Sequence, residues 1–245
     1  MRVVRLYTHQ TLASDTTLEL EDDIRHYALN VLRLNKRSDI TVFNGDGYDY
    51  ICKILDCSKA VLRIKIIQRV SLDNESPLKT HLLLGISKSA HMDYAIQKSV
   101  EVGVSMIQPI VSERSVAKIK KQSFDNKQQH WQRVIQSACE QCGRAKIPTL
   151  LPVSEFSALE HVNENEIGLI FDSTANQTIH TVNINKPTIL KLLVGPEGGF
   201  SDNEINTALE KNFQALRYGP RTMRTETAAV AAVLSAQLKW GDLAN

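Results

Sequence analysis

Residues 192–201 read LLVGPEGGFS. An apolar run of strand character stops at Gly195. A loop with three glycines, a proline and a carboxylate follows, and Ser201 opens a helix. Ser201 and Glu204 have the spacing of a capping box, in which each side chain satisfies a backbone amide of the other residue. Glycine lets the backbone approach a ligand closely or take positive φ, and Pro196 stiffens the turn. Open α/β sheets bind ligands at the C-terminal ends of their strands. An ordinary tight βα turn could use one glycine; Gly195, Gly198 and Gly199 together exceed that need. The spacing is neither GxGxxG nor that of a P-loop.

A second strand-to-helix junction follows at residues 216–228, LRYGPRTMRTETA. Thr225 suits a helix cap and Glu226 the positive end of a helix. Capping does not account for Gly219 and Pro220, nor for Arg221 and Arg224 in one short loop. Further out, residues 81–87 read as a short apolar strand. Ser89 can cap a helix carrying Met92, Ile96 and Val100 and ending at Gly103. Strand patterns cover 106–111, 167–171, 188–194 and 214–218. Helical patterns cover about 123–142 and 225–240, the last rich in alanine. Repeated βα units predict an α/β fold with a mainly parallel sheet.

Residues 1–72 differ. Strand patterns at 3–7 and 39–43, a helix over 22–34 and an NGDG turn at 44–47 precede a further strand through Leu55. Leu62, Ile64 and Ile66 alternate with Arg63 and Lys65, a strand with one wet, basic face. This predicts a small β-barrel-like module. The polar stretch 71–77, SLDNESP, is the natural boundary, so domains over 1–72 and 73–245 are expected.

The 245 residues suffice for one large domain or two modest ones. Hydrophobic residues make up 42% and the formal net charge is +2, which excludes disorder as the main state. The N-terminal residues are too polar for a signal-peptide core, and no apolar run approaches the ~18 residues of a membrane helix. Cys52, Cys57, Cys139 and Cys142 are too sparse for a disulfide scaffold. The expectation is a reduced cytoplasmic protein with no membrane span. Cys139 and Cys142 have CxxC spacing but no second matched pair, so no metal is expected. Charge is segregated. Arg114, Lys118, Lys120, Lys121, Lys127, Arg133, Arg144 and Lys146 form one basic stretch; Lys211, Arg217, Arg221 and Arg224 form another. Residues 150–210 are acidic. A single charged run is ordinarily a solvated face. Two of them, with Arg63 and Lys65, point to a polyanion partner.

Taken in order, the segments resemble the SPOUT (trefoil-knot) methyltransferases, specifically the ribosomal small-subunit methyltransferase E family. Residues 26–34 (HYALNVLRL) and 43–47 (FNGDG) are similar to its N-terminal PUA-like RNA-binding module. Residues 97–103 (QKSVEVG), 113–116 (ERSV) and 140–144 (EQCGR) are similar to its central segments. Residues 195–200 (GPEGGF) and 224–228 (RTETA) are similar to its knotted cofactor site. The chain departs from the pattern at Tyr218, where a leucine is usual, and at Thr222 and Met223, within a stretch that often reads RILR.

The resemblance implies a C-terminal trefoil knot and a PUA-like N-terminal domain. It implies methylation of N3 of one uridine in 16S rRNA of the small ribosomal subunit, with S-adenosylmethionine as cofactor and a homodimer as the working form. By position it implies cofactor contacts from Val194, Gly195, Glu197, Gly198, Gly199, Leu216, Tyr218, Gly219, Met223, Arg224 and Thr227. Uridine N3 is a poor nucleophile until its proton leaves, so a base or a charge-stabilising cation is needed. Arg224 leads as that cation, with Arg114 and Arg144 next. Glu101, Glu197 and Glu226 are the carboxylate candidates, with helix capping or pairing to a nearby cation as their plainer roles. RNA contacts are expected from Arg63, Lys65, Arg114 and Arg144. Two other readings stand beside this one: an RNA-binding module on a catalytically dead scaffold, and another nucleotide-using enzyme on a doubly wound sheet.

Overall fold

The computed structural model describes residues 3–115, 124–182 and 189–243. Val116, Lys118, Lys120, Lys121, Ser123 and Thr188, which figure in the sequence reading, lie outside these. The chain divides into two compact units, Met1–Glu75 with Cys139–Ile147, and Ser76–Ala138 with Pro148–Asn245.

The first unit holds β1 (Val4–Tyr7), β2 (Thr17–Glu19), α1 (Asp22–His26), β3 (Asp39–Phe43), β4 (Tyr48–Cys57) and β5 (Leu62–Ser71). The sheet order is β1-β3-β4-β5-β2, parallel only between β1 and β3. Alternation sorts the faces as the pattern predicts: Leu62, Ile64 and Ile66 are fully buried while Arg63 and Lys65 are exposed. No ladder joins β1 to β2 among the described residues, so the hydrogen-bonded path is open there. The helix expected over 22–34 is shorter. α1 gives way to a π-helical turn at Tyr27–Val31, where the Leu32 amide donates to the Tyr27 carbonyl (3.1 Å). Ala28 is buried in that turn, and Arg33 follows with φ of 55°, outside helical geometry.

The second unit is built on a parallel sheet. Its elements are β6 (Lys79–Gly85), α2 (Ser89–Glu101), β7 (Met106–Val111), α3 (Phe124–Cys142), β8 (Thr149–Leu150), β9 (Ser154–Glu155), β10 (Glu166–Phe171), β11 (Ile189–Val194), α4 (Asp202–Glu210), β12 (Phe213–Leu216) and α5 (Thr225–Trp240). The last four residues of α3 count with the first unit. The strand order is β12-β10-β11-β6-β7-β8, with β9 also on β7, and every pair is parallel. Central strands buried on both faces need continuous apolar runs, and Leu190, Leu192, Leu193 and Leu82 are fully buried. Met92, Ile96 and Val100 of α2 and Ala229, Ala232, Val233 and Ala236 of α5 are likewise buried, where these two helices pack together. The small residues of α5 are thus used within the unit.

Three boundaries differ from expectation. β12 stops at Leu216 rather than Tyr218, because the Arg217 amide turns to the Gln177 carbonyl (2.9 Å). Ser89 is the first residue of α2, and Lys88 holds the cap position without a side-chain bond. Thr225 is likewise inside α5, with Arg224 at the cap position and no side-chain cap bond. The Ser201–Glu204 capping box is complete in both halves.

Candidate functional site

Register brings the ends of three neighbouring strands together. Phe171 of β10 pairs with Val194 of β11 and with Leu216 of β12. The loops leaving these residues enclose a cavity of about 480 Å³, within the size range of small-molecule sites. Val194, Gly195, Glu197, Gly198, Gly199, Leu216, Tyr218, Gly219, Met223 and Arg114 line it. Of the positions expected to touch a cofactor, Arg224 and Thr227 do not line it, although Thr225 and Ala228 beside them do. Asp172, Ser173 and Thr174 form a wall that sequence reasoning missed.

The glycine loop is held by bonds from several sides. Lys88 donates its backbone N–H to Glu197 Oε1 (3.0 Å). Arg114 Nη1 donates to the carbonyls of Gly198 (3.2 Å) and Phe200 (3.1 Å). Buried Glu204 accepts from the amides of Glu113 and Ser201, each at 2.9 Å. The residues 113–114 are therefore braces of this loop. Gly199 and Gly219 have φ of 66° and 59°, and no atom lies within 4 Å of where a Cβ on either would stand. In that backbone region a side chain is strained, which is why glycine occupies both turns.

Across the cavity, the rings of Phe171 and Tyr218 stack, centroids 4.8 Å apart and 8° from parallel. The Tyr218 hydroxyl bonds to Ser235 Oγ. Burial pushes the Tyr218 phenol up to about 12, against a smaller pull from Ser235, so it stays neutral. Asp172 accepts from the Thr174 amide (3.0 Å) and hydroxyl (2.6 Å). At the start of α5, Glu226 Oε2 lies 2.8 Å from His91 Nδ1 of α2. Burial would raise the Glu226 carboxyl, but its own backbone amide, His91 and Arg224 outweigh it and hold it below the usual range. Arg224 itself is exposed.

Other expected site residues are elsewhere. Glu101 sits at the far end of α2, does not line the cavity and pairs with Lys98 (2.7 Å). Arg144 is buried and makes a two-pronged bond to Glu75, at 3.0 and 2.6 Å. A guanidinium so committed braces the first unit and is not presented to a phosphate. Its neighbours act likewise: Glu140 Oε1 accepts from the Tyr7 amide (2.9 Å), and burial raises the Cys139 thiol to about 12, with Arg144 pulling the other way. Arg63 is exposed and pairs loosely with Glu19 (3.4 Å), while Lys65 faces Lys53 across the β4–β5 ladder. Among the described residues, no three His, Cys, Asp or Glu side chains converge as metal ligands, and no helix is long and apolar enough to cross a membrane.

The cavity is large enough for an adenosyl group. Its walls offer glycine backbone and a stacked aromatic pair, and the carboxylates of Asp172, Glu197 and Asp202 are balanced there by the guanidinium groups of Arg114, Arg217 and Arg221. Residues 74–237 match the family described as RNA methyltransferase domain, and residues 20–67 the one described as RNA methyltransferase PUA domain. A Buchnera aphidicola (subsp. Schizaphis graminum) protein named ribosomal RNA small subunit methyltransferase E is 36% identical, over 99% of this chain and 98% of its own. A crystal structure of a protein of that same name from Neisseria gonorrhoeae, bound to S-adenosyl methionine, superposes with TM-score 0.90 at 35% identity, over 99% of this chain and 100% of that one. A Legionella pneumophila methyltransferase structure in complex with bound SAM superposes with TM-score 0.92 at 35% identity, with the same coverage.

Proposed function

The chain belongs to the ribosomal RNA small subunit methyltransferase E family, and we propose that it transfers a methyl group from S-adenosylmethionine to N3 of a uridine in 16S rRNA. The cavity at the ends of β10, β11 and β12 is the observation that carries this reading. Its loops supply a backbone-lined, partly aromatic site of the right size for the cofactor, with carboxylates and guanidinium groups both on its walls. We read those loops as the trefoil knot of the SPOUT fold, and the N-terminal sheet as a barrel-like PUA module. The proposed protein works in the cytoplasm, as a homodimer, on small ribosomal subunits.

When bound, the cofactor supplies a methyl group on a sulfonium sulfur. The chain's own part is placement and electrostatics. Gly199 and Gly219, open where a side chain would stand, would let an adenosyl group approach the backbone, while Gly195 lets the loop close on Gly199 and Phe200; Arg114 and Glu204 hold the first loop in place. Loss of the N3 proton leaves negative charge on the uridine O2 and O4. Arg224, exposed beside the cavity at the cap of α5, is assigned to that charge. Glu226 is occupied by His91 and is given no role as the base. The target base has to be unpaired or flipped to present N3. Arg63 and Lys65 supply phosphate contacts; Arg144 is left out of that set because it is buried against Glu75.

The decisive experiment incubates the protein and S-adenosylmethionine with small ribosomal subunits from a strain lacking the gene. Nucleoside analysis is expected to find N3-methyluridine. Any other methylated nucleoside, with none of this one, overturns the assignment.

A further inference from the structure

Asp172 follows the last residue of β10 and lines the cavity with Ser173 and Thr174. Its segment is pinned to the neighbouring strand. The Asp172 amide donates to the Leu216 carbonyl of β12 (2.9 Å), and further on the Gln177 carbonyl accepts from the Arg217 amide (2.9 Å). The side chain is fixed as well. Oδ1 accepts from the Thr174 amide (3.0 Å) and Oδ2 from the Thr174 hydroxyl (2.6 Å). Among the described residues it forms no ion pair. Glu197, on the facing loop, is by contrast taken up by the Lys88 amide (3.0 Å).

Each oxygen of a carboxylate accepts at two sites. With Thr174 using one on each, a further one remains on Oδ1 and on Oδ2. These two acceptors are adjacent and are held in place before a ligand arrives. Adjacent acceptors suit adjacent donors, and in S-adenosylmethionine the adjacent hydroxyl donors are those of the ribose. The surroundings agree. Phe171, the preceding residue, stacks on Tyr218, and such an aromatic wall suits the adenine, which the ribose adjoins. We propose that Asp172 reads the ribose of the cofactor, accepting from its 2′- and 3′-hydroxyls, and that Thr174 is the residue that positions it. A carboxylate takes a ribose hydroxyl by the same chemistry in parallel sheets that bind dinucleotides. Asp172 thereby selects an adenosyl ligand with both hydroxyls over a deoxy one. This rests on the cofactor reading above.

The test is calorimetric titration of the full chain with S-adenosylhomocysteine, the stable product of methyl transfer, and with its 2′,3′-dideoxy analogue. Wild type, Asp172→Asn and Thr174→Val are compared. Wild type is expected to bind the dideoxy analogue about thirtyfold more weakly, since two bonds to a charged acceptor are lost. Asp172→Asn is expected to bind S-adenosylhomocysteine about tenfold more weakly. Its preference for the diol should shrink to less than about threefold, because residue and hydroxyls share one interaction. A merely structural role would weaken both ligands alike and leave the preference unchanged. Thr174→Val is expected to fall between the two. Circular dichroism confirms folding, and asparagine can still accept from the Thr174 amide. If Asp172→Asn does not fold, Thr174→Val decides: a full wild-type preference in it overturns the inference. Wild type binding both ligands equally also overturns it. So does an analogue lacking the α-amino group whose loss, in place of the dideoxy loss, disappears in Asp172→Asn, because the carboxylate then holds the ammonium. Each of these outcomes leaves the cofactor reading standing. A folded wild type that binds neither S-adenosylhomocysteine nor S-adenosylmethionine overturns both.

Discussion

Gly85 lies directly against Pro196: a Cβ on Gly85 would stand 2.5 Å from the Pro196 nitrogen and 2.6 Å from its Cδ. The end of β6 is thus the seat of the glycine loop, and the seat has room for no side chain. Backbone cannot give way as a flexible side chain can, so one added methyl must displace the loop.

Gly85→Ala is expected to raise the Kd for S-adenosylmethionine more than tenfold while leaving the secondary structure intact. Overpacking of this kind costs about 1–3 kcal/mol, enough to lower the melting temperature by several degrees. Calorimetric titration and thermal unfolding read the two effects. Unchanged affinity would mean that the loop does not depend on this seat.

Arg114 braces the same loop from its other side, through the carbonyls of Gly198 and Phe200. Arg114→Ala is expected to weaken cofactor binding about fivefold, a discounted value because the residue is exposed. If Arg114 served only as an RNA contact, the loss would appear in RNA affinity and not in titration with the cofactor alone.

The parts of the site that were legible in the sequence are those with local signals. Gly195, Gly198 and Gly199 announce a loop built for close approach, and Ser201 with Glu204 announces the helix after it, because a capping box depends only on residues three apart. The wall at Asp172–Thr174 carries no such signal. It belongs to the site because Phe171 pairs with both Val194 and Leu216, and that register is set by packing across the sheet. Arg144 misled for the complementary reason: its place in a basic stretch is visible in sequence, whereas Glu75, 69 positions away, is not visible as its partner. Thr225 was a reasonable cap by residue type, but the loop enters the helix one residue earlier, at Arg224.

His81 gives a pH dependence of stability. It is buried on β6, and burial, with the charge of Lys191 adding to it, lowers its pKa from 6.5 to about 4. Between these values the unfolded chain binds a proton that the folded chain refuses, so stability is complete above about pH 6.5 and is lost as pH falls toward 4. Urea unfolding at pH 7 and pH 4.5 is expected to show a loss in wild type that exceeds that of His81→Leu by about 2–3 kcal/mol. Equal losses in the two proteins would place the acid sensitivity in other groups.

Arg224 separates chemistry from binding. It is exposed at the cap of α5 and does not line the cavity, so its removal leaves the cofactor's walls in place. It shares its loop with Arg217 and Arg221, both exposed, so one substitution removes only part of the loop's attraction for phosphate. What it is assigned is the charge that develops on the uridine when N3 loses its proton, and a preorganised cation facing such charge contributes most in the transition state. Arg224→Ala is therefore expected to lower kcat about a hundredfold, with the Kd for S-adenosylmethionine and for the ribosomal subunit each changed less than threefold. Arg224→Lys should recover part of the rate, since a cation remains but its geometry does not. Full turnover with weakened subunit binding would make Arg224 a phosphate contact, and would move the search for the charge-stabilising group to Arg217 and Arg221, which share the second loop and, unlike Arg224, line the cavity.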